Sequence, residues 1–124
     1  MKIIMPFIKR DELVDGKRII EEEERAVDVD NTMMAQMRWE AKFPEMAKRE
    51  NIVDYAMRIK AIEGEEPPIV ISKLKVLYCF LDIQESFLQF LKLFDFSRGE
   101  YVNRLIDCLK RAFEEIFAEA TEKN

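Results

Sequence analysis

The sequence predicts a mainly α fold, in which a small N-terminal β-hairpin or extended arm precedes a helical bundle with a long C-terminal helical hairpin. Only three Gly and four Pro interrupt 124 residues, and so few breaks favour long helices. Residues 69–94 contain 17 apolar residues, four of them Phe, so a helix here must be buried nearly all round. Apolar residues also recur at helical spacing between 101 and 117.

A chain of this length predicts a single domain spanning residues 1–124. The expected parts are a hairpin or arm in 1–30, two short helices in 31–63 and the long helical hairpin in 69–120.

The first 30 residues predict strands. Lys2–Ile8 is short and rich in β-branched residues, and Asp15–Gly16 is a strong signal for a two-residue hairpin turn. The second arm, Lys17–Asp30, contains four consecutive glutamates at 21–24. Because glutamate is a poor strand former, we expect this arm to be broken or to form a loop.

Helical signals begin at Asp30. Residues 30–32 (Asp-Asn-Thr) offer N-caps for a helix over Met33–Phe43, and Pro44 predicts a break that starts the next turn. Asn51 is the expected N-cap of a helix over Ile52–Glu63, which the Gly at 64 then ends.

The long central helix is expected from Ser72 to Phe94. Ser97 and Glu100 have the spacing of a capping box, which predicts that the last helix starts there and pairs with the central helix. The final residues, Thr121–Asn124, are expected to fray.

Composition and residue types argue against several function classes. The net charge is −5 without a basic stripe, which disfavours nucleic acid and anionic membranes as partners. The chain contains no His and no Gly-rich phosphate loop, so we expect no enzyme, no cofactor and no metal site. The acidic run at 21–24 is interpreted as a solvated edge.

Polar residues within 69–94 argue against a membrane span. The absence of a recognisable signal peptide predicts a cytoplasmic protein. The two cysteines are therefore expected to be free thiols.

Two groups of apolar side chains are candidates for a partner-binding surface. All seven Met lie in residues 1–57, and Met-rich surfaces adapt to varied partners, although Met is also ordinary core filler. Trp39 and Phe43 share one helical face. The simpler interpretation is that they anchor this helix to the core and do not bind a partner. The candidate partner-binding residues are Met33, Met37, Trp39, Phe43, Phe87, Leu88, Phe90, Leu91 and Phe94.

Several short motifs resemble those of a known family. They are Asp28–Asp30, Arg38-Trp39-Glu40, Phe43-Pro44-Glu45 with Ala47, Asp54-Tyr55 with Ile59, and the block Ile71–Phe80. Over roughly residues 25–95 the chain resembles the tail assembly chaperones of long-tailed bacteriophages and prophages. The resemblance implies a small, mostly helical, oligomer-forming protein that binds tape-measure and tail-tube proteins. This chain would match the short form, which lacks the frameshifted C-terminal extension.

The leading hypothesis is therefore a non-enzymatic phage tail assembly chaperone in the host cytoplasm. Two alternatives remain open: a structural homo-oligomeric virion or connector protein, and a small helical ligand-binding or regulatory domain. The ligand-binding alternative would place a pocket among Phe80, Phe87, Phe113 and Phe117.

Overall fold

The computed structural model describes residues 1–64 and 66–118. Its elements in chain order are β1 (Lys2–Val14), β2 (Lys17–Asp28), α1 (Thr32–Lys42), α2 (Pro44–Ala47), α3 (Ile52–Lys60), α4 (Pro67–Phe80), α5 (Phe87–Leu91) and α6 (Gly99–Ile116). Helix accounts for 53% of the structure and strand for 23%. The prediction of a mainly α fold is wrong, because the fold is mixed α/β with helices predominating.

The two strands form an antiparallel hairpin that is longer than the sequence suggested. Asp15 (φ 52°) and Gly16 (φ 77°) occupy the left-handed region, as a type I′ turn requires, so the predicted turn is confirmed. The expected break at residues 21–24 is wrong, since β2 runs through them. Arg104 Nη1 and Nη2 donate to the two carboxylate oxygens of Glu22 at 2.7 and 2.8 Å, which offsets the low strand propensity of this residue.

Helix α6 and the segment before it cover the outer edge of β1. The hydroxyl of Tyr101 donates to the carbonyl of Pro6, the thiol of Cys108 donates to that of Ile4 (2.9 Å), and Ile8 N–H donates to Leu93 O (2.7 Å). These contacts show that the bonded backbone groups of Ile4, Pro6 and Ile8 point away from β2. Pro6 therefore occupies a position where the hairpin ladder needs no N–H.

The predicted caps of the middle helices are confirmed. Asn31 Oδ1 accepts from Met34 N–H at 2.9 Å, and Asn51 Oδ1 accepts from Asp54 N–H at 2.8 Å. Pro44 begins α2, where its missing N–H costs nothing. Helix α3 ends at Lys60, three residues before the predicted end.

The single helix predicted from Ser72 to Phe94 is wrong, because α4 ends at Phe80. There the chain turns extended and pairs with the end of the hairpin: Asp30 N–H donates to Phe80 O at 2.8 Å, and Asp82 N–H donates to Asp28 O at 3.1 Å. A new helix starts only after Ser86, which forms a capping box with Gln89. Backbone bonds to a distant segment thus replace the helical ladder.

The helical hairpin over 69–120 and the capping box at Ser97 are likewise wrong. Helix α6 has Arg98 as its N-cap without a side-chain bond, and the Ser97 hydroxyl donates to Asp95 Oδ1 at 2.5 Å instead. The apolar stripe of α6 is confirmed as buried, from Tyr101 through Phe113. The predicted helix end at 120 and the fraying of 121–124 lie outside the described residues.

Helix α4 lies at the centre of the core. Its residues 76–80 are all buried, as expected of a helix that is apolar on most sides. Helices α1 and α3 pack against it, and α5 and α6 do so as well. Within the described part of the chain, no helix is both long and apolar enough to cross a membrane.

Candidate protein-binding surface

The nine candidate partner-binding residues separate into three groups by exposure. Trp39, Phe90 and Phe94 are buried in the core. Phe43, Phe87 and Leu91 are half-buried and pack against it. Only Met33 (68% exposed), Met37 (56%) and Leu88 (65%) present most of their side chains to solvent. The structure therefore buries three of the five aromatic candidates and leaves Phe43 and Phe87 only partly exposed.

The aromatic candidates contact one another instead of solvent. Ring centroids lie 5.5 Å apart for Trp39 and Phe43, 5.1 Å for Phe43 and Phe87, and 5.1 Å for Phe90 and Phe94. Tyr78 of α4 links Phe87 to Phe90, since its ring centroid lies 5.3 Å from that of Phe87 and 5.4 Å from that of Phe90. Edge and tilted contacts of this kind stabilise the packing of α1, α4 and α5. The simpler interpretation of Trp39 as a core anchor is confirmed.

Helix α1 presents its methionines on the side opposite the core. Ala35 and Trp39, four residues apart, are both fully buried. At 100° per residue, Met33 and Met37 lie on the opposite side of the helix, with Met34 (36% exposed) beside them. We call these three residues, Met33, Met34 and Met37, the methionine face. Residues 31–37 carry no charge, which is unusual in a chain with 36% charged residues.

Polar contacts join α1 to the rest of the structure on the side away from this face. Arg38 Nη1 donates to the carbonyl oxygens of Cys79 (3.0 Å) and Leu81 (3.1 Å), and its Nη2 donates to Asp30 (2.5 Å). The guanidinium thus caps the C-terminal end of α4. Trp39 Nε1 donates to the carbonyl of Glu50 at 3.0 Å. The sequence did not predict this role of Arg38, because two of its three bonds are to residues more than 40 positions away.

The methionines of α2 and α3 and the exposed Leu88 lie outside the methionine face. Met46 and Met57 are partly buried against the core, so the sequence cluster of methionines does not form one surface. Leu88 directly follows Phe87, whose ring contacts Phe43 at the C-terminal end of α1. Leu88 therefore offers a second exposed apolar contact on the neighbouring helix.

A cleft of about 370 Å³ lies between the hairpin and α6. Both signs of charge line it, with Lys2, Arg104 and Arg111 set among Glu24, Asp107 and Glu115; Ile3, Ile4, Pro6, Cys108 and Ala112 complete the lining. Because Arg104 is already bonded to Glu22, part of the positive charge is neutralised within the protein.

An ion network around Asp95 joins the hairpin to the start of α6. Ser97 N–H donates to Asp95 Oδ1 at 2.9 Å, Arg98 Nε donates to Asp95 Oδ2 at 2.7 Å, and Arg18 Nη2 lies 3.8 Å from Oδ2. Burial by itself raises the pKa of Asp95, but the bonds from Ser97 and Arg98 outweigh it and lower that pKa to about 2. The carboxylate is fully ionised at neutral pH, where it pairs with the two arginines. This network stabilises the fold.

The thiols are shielded from reaction. Burial raises the pKa of the Cys79 thiol to about 12 and that of the Cys108 thiol to about 11, which disfavours the nucleophilic thiolate. Among residues 1–64 and 66–118, no group of three or more Cys, Asp or Glu side chains is arranged to hold a metal ion.

The aromatic pocket expected for a ligand-binding domain is not formed. Phe80, Phe113 and Phe117 are 2–3% exposed and pack closely, with centroids 5.3 Å apart for Phe80 and Phe117. Phe87 instead contacts Phe43 and Tyr78. Phe80, Phe113 and Phe117 therefore form one packed cluster, and Phe87 lies in a different part of the structure.

Comparison with known proteins gives no assignment: no family model, curated protein or solved structure matches this chain.

Proposed function

We propose that this protein is a non-enzymatic tail assembly chaperone that binds an apolar helical segment of another protein through the methionine face of α1. The observation that carries the proposal is the exposure of Met33 and Met37 on an uncharged stretch of helix. On the motif resemblance, the clients are tape-measure and tail-tube proteins, and binding takes place in the host cytoplasm during phage assembly.

Methionine suits a surface that must accept varied helices. Its side chain is unbranched and polarisable, so it adapts to different apolar partners without a fixed complementary shape. An amphipathic helix places apolar residues at i, i+3, i+4 and i+7, which would lie along Met33 and Met37. The bonds from Arg38 to the end of α4 fix the position of α1, which lowers the ordering cost that binding at the face would carry.

The size of the face favours a short client helix over a second copy of this chain. Three methionines with these exposures offer roughly 300 Å² of apolar surface, the size of the largest patch on an ordinary monomer. A standard interface buries about 800 Å² on each partner, so this face alone would not hold a stable dimer. A small contact gives weak, reversible binding, which allows a chaperone to release its client.

The experiment compares two double variants in cells that produce a phage or prophage carrying this gene. Met33→Gln with Met37→Gln keeps side-chain length and helix propensity but removes the apolar surface. The matched control, Ile4→Gln with Leu13→Gln, makes the same change at residues that are 61% and 75% exposed on β1. Affinity capture followed by mass spectrometry identifies the bound proteins.

We expect a long tape-measure protein with the wild type and the control, and its loss with the methionine variant. Burial of both partly exposed methionines contributes about 2–3 kcal/mol, so Kd should rise roughly 30- to 150-fold. Equal capture by both double variants would refute a role for the face. Capture of this chain alone, together with its presence in finished virions, would instead favour the structural homo-oligomer.

A further inference from the structure

We propose that Met33 and Met37 are oxidation sites, and that conversion of their thioethers to sulfoxides by hydrogen peroxide weakens binding at the methionine face. The effect on binding rests on the proposed function, whereas the choice of oxidation sites depends on the structure alone.

The fold separates protected sulfur atoms from accessible ones. Cys79 is fully buried, Cys108 is 8% exposed, and Met5 is fully buried. Met46 and Met57 are partly buried against the core. The accessible sulfur atoms of helix α1 belong to Met33 and Met37, with Met34 less exposed at 36%. Peroxide in solution therefore meets the methionine face before it meets either thiol.

The reaction is a two-electron oxygen transfer. A lone pair on the methionine sulfur attacks one peroxide oxygen, an S–O bond forms, and the O–O bond breaks. The sulfur loses two electrons to the peroxide, and the departing hydroxide takes up the remaining peroxide proton to leave as water. The products are a sulfoxide and water, and no enzyme or metal is needed.

Oxidation to the sulfoxide removes the apolar character on which binding at the methionine face depends. A sulfoxide is polar and accepts hydrogen bonds, so its burial against an apolar helix carries a desolvation cost. Met33 and Met37 lie four residues apart on one side of α1, and each modification therefore alters the same contact. The fold itself should tolerate the change, because both side chains point away from the buried Ala35 and Trp39.

The sites are tested by peptide mapping of the intact protein during exposure to hydrogen peroxide. Met1, at 66% exposure, is an internal standard for an accessible methionine, and the fully buried Met5 is the standard for a protected one. We expect Met33 and Met37 to oxidise at rates close to that of Met1 and at least about tenfold faster than Met5. Rates for Met33 and Met37 as slow as that of Met5 would overturn the assignment.

The effect on binding is tested with a labelled synthetic amphipathic helix of leucine and lysine, about five turns long. Fluorescence anisotropy measures its binding to the wild type and to Met33→Leu with Met37→Leu, which keeps the face apolar and leaves Met34, 36% exposed, as its one oxidisable residue. After peroxide treatment, we expect the wild type to lose at least about tenfold in affinity and the leucine variant to stay within about twofold.

The outcomes separate this inference from the proposed function. An equal loss of affinity in both proteins would show that oxidation at other residues is responsible, and would overturn the proposed effect of Met33 and Met37 oxidation on binding. A failure of the untreated wild type to bind the helix would overturn both the proposed function and this effect. The peptide mapping would still decide whether Met33 and Met37 are the oxidation sites.

Discussion

Replacement of Asp95 by Asn tests the ion network that joins the hairpin to α6. Asparagine can still accept the bonds from Ser97 and differs chiefly in charge. The pKa of Asp95 falls from its ordinary value of 3.8 to about 2 in the folded protein. Since one pKa unit corresponds to 1.36 kcal/mol, the charged form contributes about 2 kcal/mol to the free energy of unfolding at pH 7. The side chain is only 5% exposed, so solvent screening is weak.

The pH dependence gives the sharper form of this prediction. A lowered pKa means that the contribution is complete above the unfolded value of 3.8 and is lost as pH falls through the folded value near 2. The difference in unfolding free energy between the wild type and Asp95→Asn should be about 2 kcal/mol at pH 7, about 1.3 kcal/mol at pH 3 and below about 0.5 kcal/mol at pH 2.

Urea unfolding followed by tryptophan fluorescence measures this difference, because Trp39 is the only tryptophan and is fully buried. Asp107→Asn, at an exposed position of α6, is the control for loss of one negative charge. A difference that stays constant from pH 7 to pH 2, or no difference at pH 7, would refute the assignment of a strongly stabilised carboxylate.

Two further substitutions test individual contacts by the same unfolding measurement. Arg38→Met should lower the free energy of unfolding by about 2–4 kcal/mol, because it removes the guanidinium from the Cys79 carbonyl and from Asp30 and leaves Leu81 O with only the bond from Ile83 N–H. A loss below about 0.5 kcal/mol would show that water replaces the guanidinium. Tyr101→Phe should cost about 1–2 kcal/mol, since the buried hydroxyl donates to the carbonyl of Pro6; an unchanged urea midpoint would contradict that bond.

The sequence signals that proved correct are all local. The turn at Asp15–Gly16 depends on two adjacent residues that tolerate positive φ, and the caps at Asn31 and Asn51 depend on bonds spanning three residues. Each such signal is complete within one turn of chain. The helical spacing of α6 was equally readable, because its buried stripe follows from period alone.

The signals that failed involve competition from distant residues. The continuous apolar run across Phe80 favoured one helix, but Asp30 and Asp28 form backbone bonds there that end α4. The glutamates at 21–24 disfavoured a strand, but Arg104 pairs with Glu22. In both cases a partner more than 45 residues away in sequence outweighed local propensity.

The candidate surface was only partly predictable for the same reason. From the sequence, four residues are equal candidates for the surface, because each is apolar and lies in a segment expected to be helical: Met33, Met37, Phe90 and Phe94. The sequence does not reveal which of these side chains are buried by other parts of the chain. The rings of Phe90 and Phe94 pack against Phe7 of β1, whereas Met33 and Met37 face away from every helix that packs on α1.

The sequence alone determined the turn, the helix caps, the apolar stripe of α6 and the lack of histidine chemistry, because each depends on residue type and short-range spacing. The tertiary structure alone decided the length of the hairpin, the end of α4 and the exposure of the methionine face. Burial is a property of the whole chain: a side chain is inside only if another element covers it. For Met33 and Met37, none of the described elements does.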